Sequence, residues 1–146
     1  MPVETSTFDA VICWFTSFGY FDDHGNRAVL SEFARVLRPG GTLIIETLHR
    51  DGFLRSLKSS PHEVSRGDDK MTDIATFDVR SGGLETERTV RRGDQVRRSQ
   101  FSVRLPTLPE FDDWLTGAGF GERAYSDRLG LPLTDDSLRL VVTAKK

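Results

Sequence analysis

Three kinds of side chain in this sequence could do chemistry: a tyrosine and a histidine that follow two apolar runs, and arginines beside and beyond them. Tyr20 stands just past the run Phe8–Phe15. Its hydroxyl can orient an acceptor or take a proton, and an aromatic plug is the other reading of the same residue. His49 follows the run Thr42–Leu48. An imidazole titrates near neutral pH and suits a base, whereas a surface histidine at a helix start needs no partner, and none is identifiable. Arg50 either holds an anionic group or pairs with the neighbouring Asp51. Arg88, Arg91, Arg92, Arg97, Arg98 and Arg104 surround Phe101. They read as a patch for a phosphorylated or RNA substrate, or as a solvated hairpin offset by Glu85, Glu87 and Asp94, which is the reading we favour.

Other chemistries lack the required spacing. His24, His49, His62 and Cys13 do not fall at zinc-ligand intervals. Ser17 follows a strand, but Phe15 fills the position that a nucleophile elbow reserves for glycine. Gly117, Gly119 and Gly121 spell G-x-G-x-G, yet they follow an amphipathic helix and precede a strand. A phosphate-cradling loop needs the reverse order, so these glycines mark a helix C-terminus. There is no P-loop.

These residues must be positioned by elements of one small domain. The chain has 146 residues, 20 Lys+Arg against 22 Asp+Glu, and ten Phe. That balance excludes disorder and bulk-charge binding to nucleic acid. No apolar run approaches the roughly 20 residues of a spanning helix. The polar start is not a secretory signal, and the single Cys13 cannot form an internal disulfide, so a reducing cytoplasm is expected.

Phe8–Phe15 (FDAVICWF) reads as a strand buried on both faces, as in a parallel sheet. Asp22 or Asp23 can cap a helix with Val29, Leu30, Phe33, Val36 and Leu37 inward. Arg38-Pro39-Gly40-Gly41 ends it in a turn, and Thr42–Leu48 is a second buried strand, completing a right-handed βαβ unit. A short helix over His49–Leu57 and a polar loop through Asp69 follow. Thr72–Arg80, Leu84–Arg92 and Gln95–Leu105 form an antiparallel meander. Thr107 or the following turn opens a helix with Leu108, Phe111, Trp114 and Leu115 inward, and strands are expected at Arg123–Asp127 and Leu138–Ala144.

The stretches FDAVICWFTSFGYF, ARVLRPGGTLIIET, and TLPEFDDWLTGAGF followed by SLRLVVTAKK resemble, in this order, the C-terminal half of a class I S-adenosylmethionine-dependent methyltransferase. The resemblance implies an α/β class: a partial Rossmann-like sheet, family strands four to seven, with an antiparallel β insertion. It further implies one truncated domain over 1–146 with a lid-like insertion at 70–105, similar in placement to the lids of small-molecule methyltransferases. Cys13, Trp14, Phe15 and Phe18 then line an S-adenosylmethionine pocket, although Cys13 reads more simply as core. Ser17, Arg50 and Arg104 would contact substrate, with Arg104 pointing under the lid, and Tyr20 and His49 would be catalytic. Glu46 shares the wall with His49 and Arg50.

The family's glycine-rich loop and first three strands would lie upstream of Phe8, where only seven residues stand. Met1-Pro2 then reads as an internal Met-Pro of a longer ancestral protein. The strand at 8–15 would expose an unpaired edge, which invites either a homodimer or a separate N-terminal half. The expected function is methyl transfer to a small-molecule acceptor once that site is completed. The alternative is a non-catalytic binding module. Neither a membrane nor a nucleic acid is an expected partner.

Overall fold

The structure, a computed structural model, describes residues 3–57 and 61–146. Met1-Pro2 and the beginning of the expected polar loop, residues 58–60, lie outside the described residues. In chain order the elements are β1 (Phe8–Cys13), α1 (Asp23–Val36), β2 (Leu37–Leu48), α2 (Arg50–Ser56), β3 (His62–Arg66), β4 (Asp69–Asp78), β5 (Gly83–Arg92), β6 (Gln95–Arg104), α3 (Leu108–Gly117), β7 (Arg123–Ser126) and β8 (Arg139–Lys145). They form two sheets, β1-β2-β8-β7 and β3-β4-β5-β6. No described helix is long and apolar enough to cross a membrane.

The first sheet is built from the βαβ unit. β1 and β2 are parallel, while β8 runs antiparallel to both β2 and β7. Asp22 caps α1 by accepting from the Gly25 amide, satisfying one of the free donors of the first turn. The helix gives way at Leu37, and Gly40 takes the positive φ of +76° that the turn requires. Strand pairing begins at Leu37 and not at Thr42. Phe8 already pairs with Leu37, and a register shift before Ala10 absorbs the turn.

Helices α1 and α3 cover one face of this sheet. Leu30, Phe111, Trp114 and Leu115 meet Leu43, Ile45 and Val142 in the main core. α3 is opened by a reciprocal capping box between Thr107 and Glu110. The expectation that the first strand is buried on both faces is not met: within β1 only Cys13 is buried, and Ile12 is 66% exposed. β1 is an edge strand here, and the helices lie on the other side, so its apolar composition exceeds its burial.

The insertion has four strands where three were expected. β3 extends the meander by pairing with β4 across a turn at Gly67, whose φ is +60°. All five of its residues are exposed and only Val64 is apolar. Backbone pairing and polar contacts of Glu63 with Lys70 and Thr72 of β4 hold it, with no buried apolar face, so no alternation betrays it. Below this sheet Leu84, Val103 and Leu105 form a second core with Leu48, Phe53 and Leu57.

Arg104 clasps the two halves together. Its Nε and Nη2 reach Asp23 and Glu110 at 2.8 and 2.7 Å, Nη1 donates to the Leu105 carbonyl, and the guanidinium lies over Trp114. Burial opposes its charge, but the two carboxylates outweigh that, and its pKa is raised. On Glu110 burial acts upward, while the Thr107 amide, Arg104 and the Thr107 hydroxyl prevail and hold the carboxyl at about 2.

Candidate functional site

A cavity of about 600 Å³ opens between the two sheets. Its floor is the end of the first sheet where β1 and β2 finish and β8 begins, represented by Phe15, Thr16, Leu48 and Arg139. Its roof is the inward face of β4–β6, including Met71, Leu84 and Phe101. Ligands of open α/β sheets sit beyond the carboxyl ends of the strands, and a largely apolar hollow with a few polar groups is the usual form of a small-molecule site.

The floor is shaped by a buried carboxylate. Along β2, Ile45 faces the helices, so Glu46 faces the opposite side. It is fully buried. Its Oε2 accepts from the Phe15 amide at 2.8 Å and its Oε1 from Arg139 Nε at 2.5 Å, with Arg128 Nε at 4.0 Å. Burial pushes this carboxyl up. The hydrogen bond and charge of Arg139, the Phe15 amide and Arg128 outweigh it and hold the group below the usual carboxylate range. Arg139 also donates to Thr16 Oγ1, and the Thr16 amide donates to the Glu46 carbonyl.

This network holds Phe15 and Thr16 at φ +56°, the left-handed region that non-glycine residues seldom adopt. The turned backbone puts the Phe15 ring outward, 70% exposed and under Arg128. Strain of this kind persists only where the surroundings over-determine it, and it concentrates at ligand sites.

The roof supplies the other polar groups. Asp73 and Arg88 are directly opposed on β4 and β5 and form a two-point ion pair at 2.8 and 2.7 Å. Arg88 also stacks on Phe101, whose ring stands 6.3 Å from that of Tyr20. The Tyr20 hydroxyl has no hydrogen bond to any described residue. Thr86, buried, completes the polar lining of this wall.

Of the nine side chains given a site role by the resemblance, only Phe15 and Tyr20 line the cavity, together with Arg88 and Phe101 of the arginine patch. Cys13 and Phe18 belong to the main core, where burial raises the Cys13 thiol and Phe18 stacks on Phe111. Trp14 is half-buried outside the cavity. Ser17 donates to the Trp14 carbonyl and closes the loop. Arg50 lies over Phe77, 3.8 Å from Glu110.

Two expectations need correction. His49 is not at the surface: it is buried, and its Nδ1–H donates to the Ser137 carbonyl at 2.8 Å, because the following helix packs beneath that loop. It does not line the cavity. Arg104 does not point under the lid toward substrate. It is 9% exposed, and its donors are taken by Asp23, Glu110 and Leu105.

The residues missed, Asp73 and Arg139, differ in how far they could have been found. Once the Asp78–Gly83 turn fixes the hairpin, Asp73 must oppose Arg88. Arg139 is 93 residues from Glu46, and nothing local announces their pairing.

Comparison with known proteins identifies this architecture. A family model described as "Methyltransferase domain" matches residues 1–41. No curated protein matches the chain. Among solved structures, an S-adenosylmethionine-dependent methyltransferase from Clostridium acetobutylicum superposes with a TM-score of 0.85 at 12% identity, over 99% of this chain and 60% of its own. The CcbJ methyltransferase from Streptomyces caelestis gives 0.79 at 16% identity, over 99% and 59%. CalS10, an amino pentose methyltransferase from Micromonospora echinaspora solved with S-adenosylmethionine bound, gives 0.61 at 23% identity, over 96% and 59%. The chain therefore has the Rossmann-like fold of class I S-adenosylmethionine-dependent methyltransferases, and it spans about 60% of the length of the first of these structures.

Proposed function

We propose that this chain supplies the acceptor side of an S-adenosylmethionine-dependent methyltransferase acting on a small molecule. The observation that carries this reading is the placement of the cavity. It lies beyond the carboxyl ends of β1 and β2, under a separate antiparallel sheet, with a strained turn at its floor. This is where the fold puts ligands, and the volume suits a drug-sized molecule.

The residues present fit one wall of a cofactor site. Glu46 and Arg139 fix the Phe15–Thr16 turn, which leaves the Phe15 ring exposed at the end of β1. Trp14 and Phe15 would face the cofactor, which when bound supplies an electrophilic methyl group on a sulfonium. The rest of the work in such a displacement is alignment and proton removal. The apolar side chains of the roof exclude water from the acceptor's body, which Phe101 and Leu84 orient. Tyr20, whose hydroxyl has no hydrogen bond to any described residue, holds the nucleophile at the cavity wall or, as the phenolate, receives its proton.

The free edge of β1 supports a further part of the proposal. Its outer amides and carbonyls have no strand partner among the described residues, and Phe8 and Ile12 are exposed beside them. Such an edge pairs with another chain unless it is covered. A second copy pairing through Asp9–Trp14 covers it and brings another wall to the site. Multi-angle light scattering at micromolar concentration is expected to give a dimer mass. A monomer mass overturns this part, and an N-terminal half supplied by another chain would instead appear as a heteromeric complex on co-expression.

Calorimetric titration of S-adenosylhomocysteine into the purified chain tests the main reading. Saturable binding in the micromolar range is expected. No heat at high protein concentration would refute cofactor use by this chain and leave a non-catalytic binding module.

A further inference from the structure

The roofing sheet sorts its charges between two faces, and the register shows how. Residues opposed across β4, β5 and β6 point the same way, and successive rows alternate. Asp73 and Arg88 share an inward row, as do Ala75, Thr86 and Phe101. The next inward row toward the open end carries Met71, Val90 and Arg97. Glu85 and Glu87 fall in the intervening rows and face away from the cavity. They therefore do not offset the inward arginines, as a reading of the linear sequence suggests.

Within the Asp73–Arg88 pair the cation is the accessible partner. Both Asp73 oxygens already accept from Arg88, and its side chain is 15% exposed against 37% for Arg88. Arg88 uses Nε and Nη2 on Asp73 and lays its plane on Phe101 at 5.2 Å. Its Nη1 has no partner among the described residues. The guanidinium is thus held still by a carboxylate and an aromatic ring, with its remaining donors available beside the Tyr20 ring. A fixed fork of this kind suits an oxyanion with two acceptor atoms. Arg97 stands one inward row further out, roughly 7 Å along the strands, and has no acidic partner among the described residues. Asp73, whose oxygens are already occupied, is the one carboxylate among the described residues of the cavity wall.

We propose that the cavity selects an amphipathic organic anion. Its apolar body lies between Phe53, Leu84 and Phe101, and its carboxylate, phosphate or sulfonate oxygens are received by Arg88, with Arg97 drawing the anion toward the mouth. Only the naming of this ligand as a methyl acceptor rests on the function proposed above; its chemistry rests on the cavity.

Two fluorescent probes with the same aromatic body test it on the purified chain without cofactor: 8-anilino-1-naphthalenesulfonate and the neutral N-phenyl-1-naphthylamine. The sulfonate is expected to bind at least tenfold tighter than the neutral probe. Arg88→Met is expected to reduce that preference below threefold while leaving the neutral probe unchanged, and Arg88→Lys to retain part of it. Arg97→Gln should weaken the sulfonate two- to threefold. Equal binding of the two probes by the unaltered chain, tighter binding of the neutral one, or a preference that survives Arg88→Met overturns the proposal. Should Arg88→Met lose its far-ultraviolet circular dichroism, the lysine and Arg97 variants decide, and no change in either is equally fatal. Because neither cofactor nor turnover enters, a negative S-adenosylhomocysteine titration leaves this result standing, and the reverse also holds.

Discussion

Replacing Glu46 puts the largest strain on the reasoning about the cavity floor. Glu46→Ala removes the acceptor of the Phe15 amide and the carboxylate facing Arg139. Breaking a buried ion pair by deleting one partner costs about 3–5 kcal/mol. The low end applies, because the Arg139 side chain is 24% exposed and keeps its bond to Thr16. A half-buried amide left unpaired adds about 1 kcal/mol. Relaxation of the two left-handed residues returns about 1–2 kcal/mol. The expected net loss is then about 2–3 kcal/mol, or roughly 5–10 °C in melting temperature for a chain of this size.

Glu46→Gln should lose less, about 1–2 kcal/mol, since it still offers the Phe15 amide an acceptor. Urea denaturation of the two variants, of Arg139→Ala and of the Glu46→Ala/Arg139→Ala double variant measures this. Strong non-additivity is expected. A loss below about 1 kcal/mol for Glu46→Ala, or additivity of the pair within about 0.5 kcal/mol, would show that the network does not hold the turn.

Three further outcomes are expected. Arg104→Met should cost about 2–3 kcal/mol, because it deletes a buried guanidinium and leaves Asp23 and Glu110, themselves partly exposed, without their cation; hydrogen exchange should speed up first in β5 and β6, and uniform acceleration would contradict the clasp. Glu110 has a folded pKa of about 2, below its unfolded value, so it contributes stability above roughly pH 4.5 that is lost as the pH falls toward 2. Melting curves between pH 6 and 2.5 should show that loss, and Glu110→Gln should flatten it while lowering stability at neutral pH. Gly52→Ala would place a Cβ 2.2 Å from the Ser137 carbonyl oxygen, so α2 must shift away from the loop that also binds His49; a loss of more than about 1 kcal/mol is expected, as for overpacking generally, and an unchanged melting temperature would place that loop elsewhere.

Several elements were legible from the residues alone because their causes are local. Asp22 and Thr107 cap the helices they precede, Gly40 makes the turn that follows α1, and apolar spacing puts Leu30, Phe111 and Trp114 inward. The three resembling stretches, the second of which contains that turn, carried the fold as well, since order and spacing of elements survive where identity does not. β3 escaped because an exposed edge strand needs only backbone pairing and leaves no mark in side-chain type.

The site was less legible for the same reason turned around. Residue type announced that His49, Arg50 and Arg104 could do chemistry, but accessibility decides whether they can, and it depends on partners far along the chain. Arg104 is claimed by Asp23, 81 residues away, and His49 by Ser137, 88 residues away. Tyr20 and Phe15 reached the cavity because both lie in the loop that leaves β1, whose end the fold directs there. Composition and short-range periodicity thus determined the helices and most of the strands, β3 excepted, and the inward faces of α1 and α3. Only the tertiary structure decided which charged groups cancel, which stay free, and that Arg88 faces a cavity while Glu85 and Glu87 do not, because that depends on the register of strands meeting across turns.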